Sequence, residues 1–246
     1  MSLFTLKFNL SINRYKVYIE LRGQRNAKGE TNDMTKYRYI KKKSLYLFLV
    51  NLFIILPHFK TPYMDQIGSV DMVFNLWRVI SAIYIILKVL KKPKISSLVF
   101  LFIIFQAIYL FSTVFNAGNI RECILATASI LSLSMYLDMT LNSEDYEITL
   151  EVLRLIFELL VYINLITVIT IPDGMYKDWT WRNWFLGTDN QHVIYYIVGS
   201  TVSIICSWRK QRYFRTVIFL LAAYITTFIT FSGTAVGGMV VYALLI

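Results

Sequence analysis

Long apolar runs separated by short polar segments dominate the chain from residue 44 onward. A helix needs about 20 apolar residues to cross the hydrocarbon core of a bilayer. The runs therefore predict an all-α fold, a polytopic transmembrane helix bundle with seven spans and a partial eighth. The predicted spans are Ser44–Phe59, Met72–Leu90, Ile95–Phe115, Ile124–Met139, Ile148–Ile171, His192–Trp208, Thr216–Phe231 and Thr234–Ile246. The first and fourth runs are short, so we expect these helices to extend into flanking residues.

The two ends of the chain differ from the apolar middle. Residues 1–43 are mixed and basic, and they predict a cytoplasmic N-terminal segment before a transmembrane domain of residues 44–246. Met34 opens a basic stretch that suits the start of a membrane protein, so residues 1–33 are either a short tail or sequence upstream of the true initiator. The last apolar run has no basic residues after it, which predicts a C-terminally truncated chain.

Composition and charge agree with a membrane protein. Hydrophobic residues are 57% of the chain, and charged residues are 16%, against roughly 25% in soluble domains. The net charge of +10 also fits a nucleic-acid-binding protein, but the basic residues cluster between apolar runs instead of forming one patch. Eleven of the 25 Lys and Arg residues lie within residues 1–43. The positive-inside rule therefore predicts a cytoplasmic N-terminus.

This orientation makes three loops external, namely 60–71, 116–123 and 172–191. Arg78 lies near the outer end of the second predicted span and shares a helix face with Asp71 and Asn75. It is explained equally well as a cation that binds an anionic ligand and as an Arg that snorkels or pairs with Asp71. His58, at the outer end of the first span, is interpreted as interfacial.

Two other polar features in the spans favour structural roles. Glu151, Arg154 and Glu158 are spaced to pair within one helix, and we expect them to do so. Cys123 and Cys206 have neither metal-like nor disulfide-like spacing, which predicts that each is a small buried hydrophobe.

The external loop 172–191 contains the densest group of candidate functional residues. Its aromatic side chains, Trp181 and Trp184 among them, suit a membrane interface and also the stacking of sugar rings. Arg182 lies between them. The cluster Asp189, Asn190, Gln191 and His192 supplies a carboxylate, two amides and an imidazole at the start of the next span. Asp189 or His192 could accept a proton from a hydroxyl. As alternatives, Asp189 or Asn190 could simply cap the helix.

Several short segments resemble a bacterial family of membrane enzymes. They are the basic start, Trp77 and Arg78 in the second span, STVFN at 112–116, NWFLGTDNQHVIYY at 183–196, and FSGTAVGG at 231–238. The arrangement is similar to that of the oligosaccharide repeat-unit polymerases, which make O-antigen and capsular polysaccharide and are related to the O-antigen ligases.

The resemblance implies a glycosyltransferase on the outer face of the bacterial inner membrane. Such an enzyme joins undecaprenyl-pyrophosphate-linked repeat units, uses no metal or other cofactor, and works beside a flippase and a chain-length regulator. Cations would hold the pyrophosphate and polar side chains would bind sugar. For these roles we predict Arg78, Arg121, Arg182, Trp181, Trp184, Asn190 and Gln191, with Asp189 and His192 as catalytic bases.

Three alternatives compete with this hypothesis. An O-antigen ligase would use the same chemistry. A lipid-linked oligosaccharide flippase or other transporter would show internal repeats and charged groups deep in its spans. An inactive truncated remnant would fit the abrupt end of the sequence. The family's larger external loop, rich in Arg, has no counterpart before residue 246.

Overall fold

The structure is a computed structural model that describes residues 44–91, 96–178, 181–210, 213–230 and 233–245. The helical prediction is confirmed at each of the eight apolar runs. The basic segment 1–43, with the suggested start at Met34, lies outside the described residues. The helices are α1 (44–59, with a 3-10 turn at Leu56–Phe59), α2 (Pro62–Asp65), α3 (Gly68–Lys91), α4 (Ser97–Phe115), α5 (Ile120–Leu141), α6 (Tyr146–Thr170), α7 (Asp189–Lys210), α8 (Phe214–Thr230) and α9 (Gly233–Leu245).

Four of the described helices, α3 to α6, are long and apolar enough to cross a membrane. Helices α1 and α8 are apolar but shorter. Together these helices indicate a membrane protein. Helix α5 extends beyond the predicted run Ile124–Met139 at both ends, as expected for a short run that needs flanking residues. It begins where the Asn119 side chain accepts a hydrogen bond from the Glu122 N–H, which satisfies one of the free donors of the first turn.

The core of the compact unit, which begins at Leu47, lies around α6. In an apolar stretch of 18 residues within α6, 56% of the stretch is buried, whereas only 11% of the corresponding stretch of α4 is buried. Helix α6 packs against α7 and α8. Gly199 lets them approach closely, because a Cβ there would lie 2.5 Å from Phe219 Cζ and 3.0 Å from Phe157 Cβ. Helix α4 packs mainly on α5, and its apolar surface faces outward.

Two charged side chains of α6 itself, Arg154 and Glu158, lie buried in the core. Arg154 Nη2 lies 2.6 Å from Glu151 Oε2, and Arg154 Nε lies 3.8 Å from Glu158 Oε1. The predicted pairing within one helix is therefore confirmed. Arg215, from the first turn of α8, also donates to Glu158. This contact joins α8 to the middle of α6.

The loop before α7, which we predicted to be external, forms a small antiparallel sheet that the all-α prediction did not anticipate. The strands are β1 (Tyr176–Asp178), β2 (Trp181–Trp184) and β3 (Gly187–Thr188), in the order β1-β2-β3. Gly174 and Gly187 have φ angles of 91° and 97°. Such angles favour glycine; Gly174 allows the turn that precedes β1, and Gly187 allows the tight turn from β2 into β3.

Two of the loops predicted to be external lie against each other. The Tyr63 ring of α2 lies 6.1 Å from the Tyr176 ring and 6.2 Å from the Phe185 ring. A Cβ on Gly187 would lie 3.0 Å from Pro62 Cγ. The segment 60–67 and the sheet are therefore at the same end of the bundle. Both cysteines are free and buried, as predicted.

Candidate functional site

The sheet rests on a buried hydrogen-bonded network centred on Asn164 of α6. Asn164 Oδ1 accepts a bond from the Leu186 N–H at 2.9 Å, and Nδ2 donates to the Tyr196 hydroxyl at 3.1 Å. The same Nδ2 lies 3.5 Å from His192 Nδ1. Asn164 is 0% exposed. A buried amide must have partners for its donors and acceptor, so Asn164 fixes the sheet and α7 to α6.

His192, a predicted catalytic base, belongs to this network. Its Nε2 lies 3.0 Å from the Gly187 carbonyl oxygen and is the donor there, because a carbonyl can only accept. Its Nδ1 then carries the lone pair that faces Asn164. The imidazole is 1% exposed and packs between the rings of Trp184 and Tyr196. Both nitrogens are occupied, so this arrangement holds the loop in place and leaves no open face for a substrate hydroxyl.

The side chains of Trp184 and Gln191 also stabilise the loop through hydrogen bonds to its backbone. The Trp184 indole N–H donates to the Ile171 carbonyl at 2.9 Å, and the side chain is 4% exposed. Gln191 Oε1 accepts a bond from the Thr188 N–H at 3.0 Å, at the start of α7. These contacts satisfy backbone groups at the ends of α6 and α7. The roles in sugar binding that we predict for the two residues are additional to these contacts and stay predictions.

The sheet places two exposed cations side by side. In the register of β1 and β2, Lys177 lies directly opposite Arg182. Side chains at such positions project from the same face, with Cβ atoms about 5 Å apart, and like charges there repel. Among the described residues, neither has an ion-pair partner. The pair therefore presents a concentrated positive charge. Lys177 was missed in the sequence because only the strand register brings it to Arg182.

The other predicted residues of this loop lie on the same small scaffold. Trp181 begins β2, opposite Asp178, and Asp189 is the first residue of α7. Asn190 is exposed in the first turn of α7. Arg121 lies apart from the sheet, exposed in the first turn of α5. Their predicted roles stay predictions.

Arg78 lies in a second polar region, where α3 crosses the end of α1. Pro57 has no N–H, so the Phe53 carbonyl loses its helical donor, and the Trp77 indole N–H replaces it at 2.9 Å. Arg78 Nε donates to the Pro57 carbonyl at 3.3 Å. Both Nη nitrogens of Arg78 are without a hydrogen-bond partner among the described residues. They are free to bind an anion.

Asp71 is paired with Lys60 and not with Arg78. Lys60 forms ion pairs with Asp65 and Asp71, and its ammonium lies 3.4 Å from Asn75 Oδ1. Asn75 Nδ2 in turn donates to Asp71 at 2.9 Å. Pairing with Asp71 was one explanation of Arg78. The lysine forms the ion pair with Asp71 instead, and Arg78 interacts with Asp65 and Asp71 only at longer range.

His58 lies in the same region, between α3 and α5. Its Nδ1 is 2.9 Å from Ser129 Oγ, and its Nε2 is 3.2 Å from Ser81 Oγ. The Ser81 hydroxyl donates its only proton to the Ile54 carbonyl at 2.8 Å, so it must accept from His58 Nε2–H. Nδ1 then accepts from the Ser129 hydroxyl, and the ring also interacts with the Ser129 backbone. His58 keeps partial exposure.

Among the described residues, no cluster of three His, Cys, Asp or Glu side chains could hold a metal ion. No protein-family model, curated protein or solved structure gives a significant match to the chain.

Proposed function

We propose that the chain is a membrane glycosyltransferase, an oligosaccharide repeat-unit polymerase. It transfers a growing glycan from undecaprenyl pyrophosphate to the next lipid-linked repeat unit and so builds capsular, exo- or O-antigen polysaccharide. It lies in the bacterial inner membrane with seven spans, a partial eighth and a cytoplasmic N-terminus. A flippase that supplies repeat units and a regulator of chain length are its expected neighbours.

The observation that carries the proposal is the cross-strand pair of Lys177 and Arg182 on the external sheet. Two like charges at opposed positions cost stability unless an anion lies between them. An Arg offers a planar fork that matches phosphate oxygens, and a Lys adds a point charge. A pyrophosphate headgroup is an anion of suitable size and charge. The terminal nitrogens of Arg78, in the half of α3 nearer the end that we assign to the outside, provide a further cation.

The chemistry requires little beyond charge stabilisation and a base. Pyrophosphate is a good leaving group once its negative charge is compensated. Each well-placed donor can lower the barrier by roughly 3 to 4 kcal/mol. The aromatic side chains of the external loop, Trp181 among them, would orient the sugar by stacking. Both features fit a transferase that works on a lipid-linked glycan.

Deletion of the gene followed by sizing of the surface glycan tests the proposal. A polymerase predicts loss of long chains with single repeat units retained. Complementation with Arg182→Ala is expected to give shorter or less abundant polymer than the wild type, and Lys177→Ala a smaller reduction. Lys91→Ala, which removes an exposed cation at the opposite end of α3, is the control. Unchanged length and yield in Arg182→Ala would remove Arg182 from the mechanism.

A lipid-linked oligosaccharide flippase is the second candidate, and one observation favours it. Glu158 is the thirteenth of the 25 residues of α6, and it is buried with Arg154. Ionisable groups deep in membrane helices often mark transport pathways. Loss of all surface glycan after deletion, including single repeat units, would favour this function or a ligase over a polymerase.

A further inference from the structure

The chain has two histidines, and His58 has the surroundings of a general base. A base needs an unprotonated nitrogen within about 3.2 Å of the hydroxyl it activates. The lone pair of His58 Nδ1 faces the Ser129 hydroxyl at 2.9 Å. The opposite nitrogen is held by Ser81, which is itself fixed by the Ile54 carbonyl. A hydroxyl, a base and a group that orients the base thus lie in sequence, as Ser129, His58 and Ser81. Many enzymes activate a hydroxyl with this arrangement.

Another hydroxyl can replace that of Ser129 as the hydrogen-bond partner of His58 Nδ1, and no buried polar group is then left unsatisfied. Ser129 is partly exposed, and so is His58. A serine hydroxyl can rotate to other partners or to water, which makes its replacement at Nδ1 inexpensive. The partners of His192, in contrast, are the Gly187 backbone carbonyl and the Asn164 amide, which also bonds to Tyr196 and Leu186.

The guanidinium of Arg78 lies beside this base. Arg78 and Ser81 are three residues apart on α3, so they share one face of the helix. Both donate to carbonyls of the same turn, Arg78 to Pro57 and Ser81 to Ile54. Arg78 uses only Nε in that bond. Its two terminal nitrogens are therefore available next to the histidine that faces Ser129.

Arg78 on α3 and Ser129 on α5 lie at a similar depth in the bundle. Arg78 is ten residues from the start of α3, and Ser129 is nine residues from the start of α5. At 1.5 Å per residue both lie about 14 to 15 Å below the helix ends that we assign to the outside. Arg78 and Ser129 therefore lie at similar distances from those helix ends.

We propose that His58 is the catalytic base of the transfer and that Ser81 is its positioning residue; this inference rests on the proposed function. The acceptor sugar hydroxyl takes the place of the Ser129 hydroxyl and gives its proton to His58 Nδ1. Its oxygen forms the new bond to the anomeric carbon of the donor glycan. The bond between that carbon and the pyrophosphate oxygen breaks, and its electron pair leaves with undecaprenyl pyrophosphate, where Arg78 binds the charge.

The test measures bond formation in membranes that contain the full chain and undecaprenyl-pyrophosphate-linked repeat units. His58→Gln keeps one donor and one acceptor for the two serines but lacks a basic nitrogen. We expect the amount of folded protein after detergent extraction to match the wild type, and the rate to fall by about a hundredfold or more. A rate within a few-fold of the wild type would overturn the inference.

Chemical rescue separates a base from a structural residue, even where His58→Gln folds poorly. In His58→Gly, added imidazole should restore part of the rate, and a series of substituted imidazoles of similar size should restore it in order of their basicity. No rescue, or rescue that ignores basicity, would overturn the role of His58. Failure of the wild-type membranes to lengthen the glycan would refute the proposed function itself, and this inference with it.

Discussion

The surroundings of His58 and His192 show how one residue type serves two purposes. His192 bonds to a backbone carbonyl and to the Asn164 amide, both fixed by the fold, and is 1% exposed. His58 bonds to two serine hydroxyls, interacts with the Ser129 backbone and keeps partial exposure. A hydroxyl can turn away to let a ligand bind, whereas a carbonyl in a buried turn cannot. The nature of the partners therefore separates a structural histidine from one suited to catalysis.

The largest expected effect on stability is at Asn164, the centre of the network around His192. Asn164→Ala removes the acceptor of the Leu186 N–H and the donor that faces His192 Nδ1, whereas the Tyr196 hydroxyl keeps its hydrogen bond to Thr226. Each buried group left without a partner costs about 1 to 3 kcal/mol, so we expect a loss on the order of 4 kcal/mol. Thermal unfolding of the detergent-solubilised protein measures it, with Asn75→Ala as the control at a partly exposed asparagine. Equal unfolding midpoints for the two variants would show that the network does not hold the sheet.

Gly187→Ala disturbs the same region through the backbone. Gly187 has a φ angle of 97°, and a Cβ there would overlap Gln191 Oε1 and approach Pro62 Cγ. Strain of this kind costs about 1 to 3 kcal/mol. Gly237→Ala is the control, since nothing lies within 4 Å of the added Cβ. If both variants unfolded at the wild-type midpoint, the tight turn would not be a determinant of the loop.

Around His58 we expect smaller losses of stability. Trp77→Phe keeps an aromatic ring beside Phe53 but removes the N–H that donates to the Phe53 carbonyl. A single hydrogen bond contributes about 1 kcal/mol, and we expect a decrease of that size in the free energy of unfolding. Trp208→Phe, at an exposed position of α7, is the control. A loss as large as that of Asn164→Ala would mean that the His58 region is also a structural centre.

The helices could be predicted from the sequence because length and apolar composition are local properties. All eight runs form helices over the residues that the structure describes, with differences of a few residues at their ends. The ion pairs of α6 were also local, since Arg154 lies three and four residues from its partners. Only the contribution of Arg215 needed the packing of α8.

The candidate sites depend on contacts between distant residues, which a local pattern does not contain. Asn164 is 28 residues from His192, and a cluster of polar residues at a helix start looks the same whether it is open or buried. Ser81 and Ser129 lie 23 and 71 residues from His58. Nothing near His58 in the sequence indicates them. Lys177 and Arg182 likewise lie opposite each other only because of the strand register. The sequence predicted a loop rich in aromatic residues there, and no strands.

The most direct test of the difference between the histidines compares His58→Gln with His192→Gln for both glycan transfer and thermal unfolding. We predict that His58→Gln keeps the wild-type unfolding midpoint and loses transfer. His192→Gln should unfold at a lower temperature, because the amide cannot reproduce the packing of the ring between Trp184 and Tyr196. Glycan transfer by His58→Gln at the wild-type rate, or a His192→Gln variant that keeps the wild-type midpoint and loses transfer, would contradict this division of roles between the two histidines.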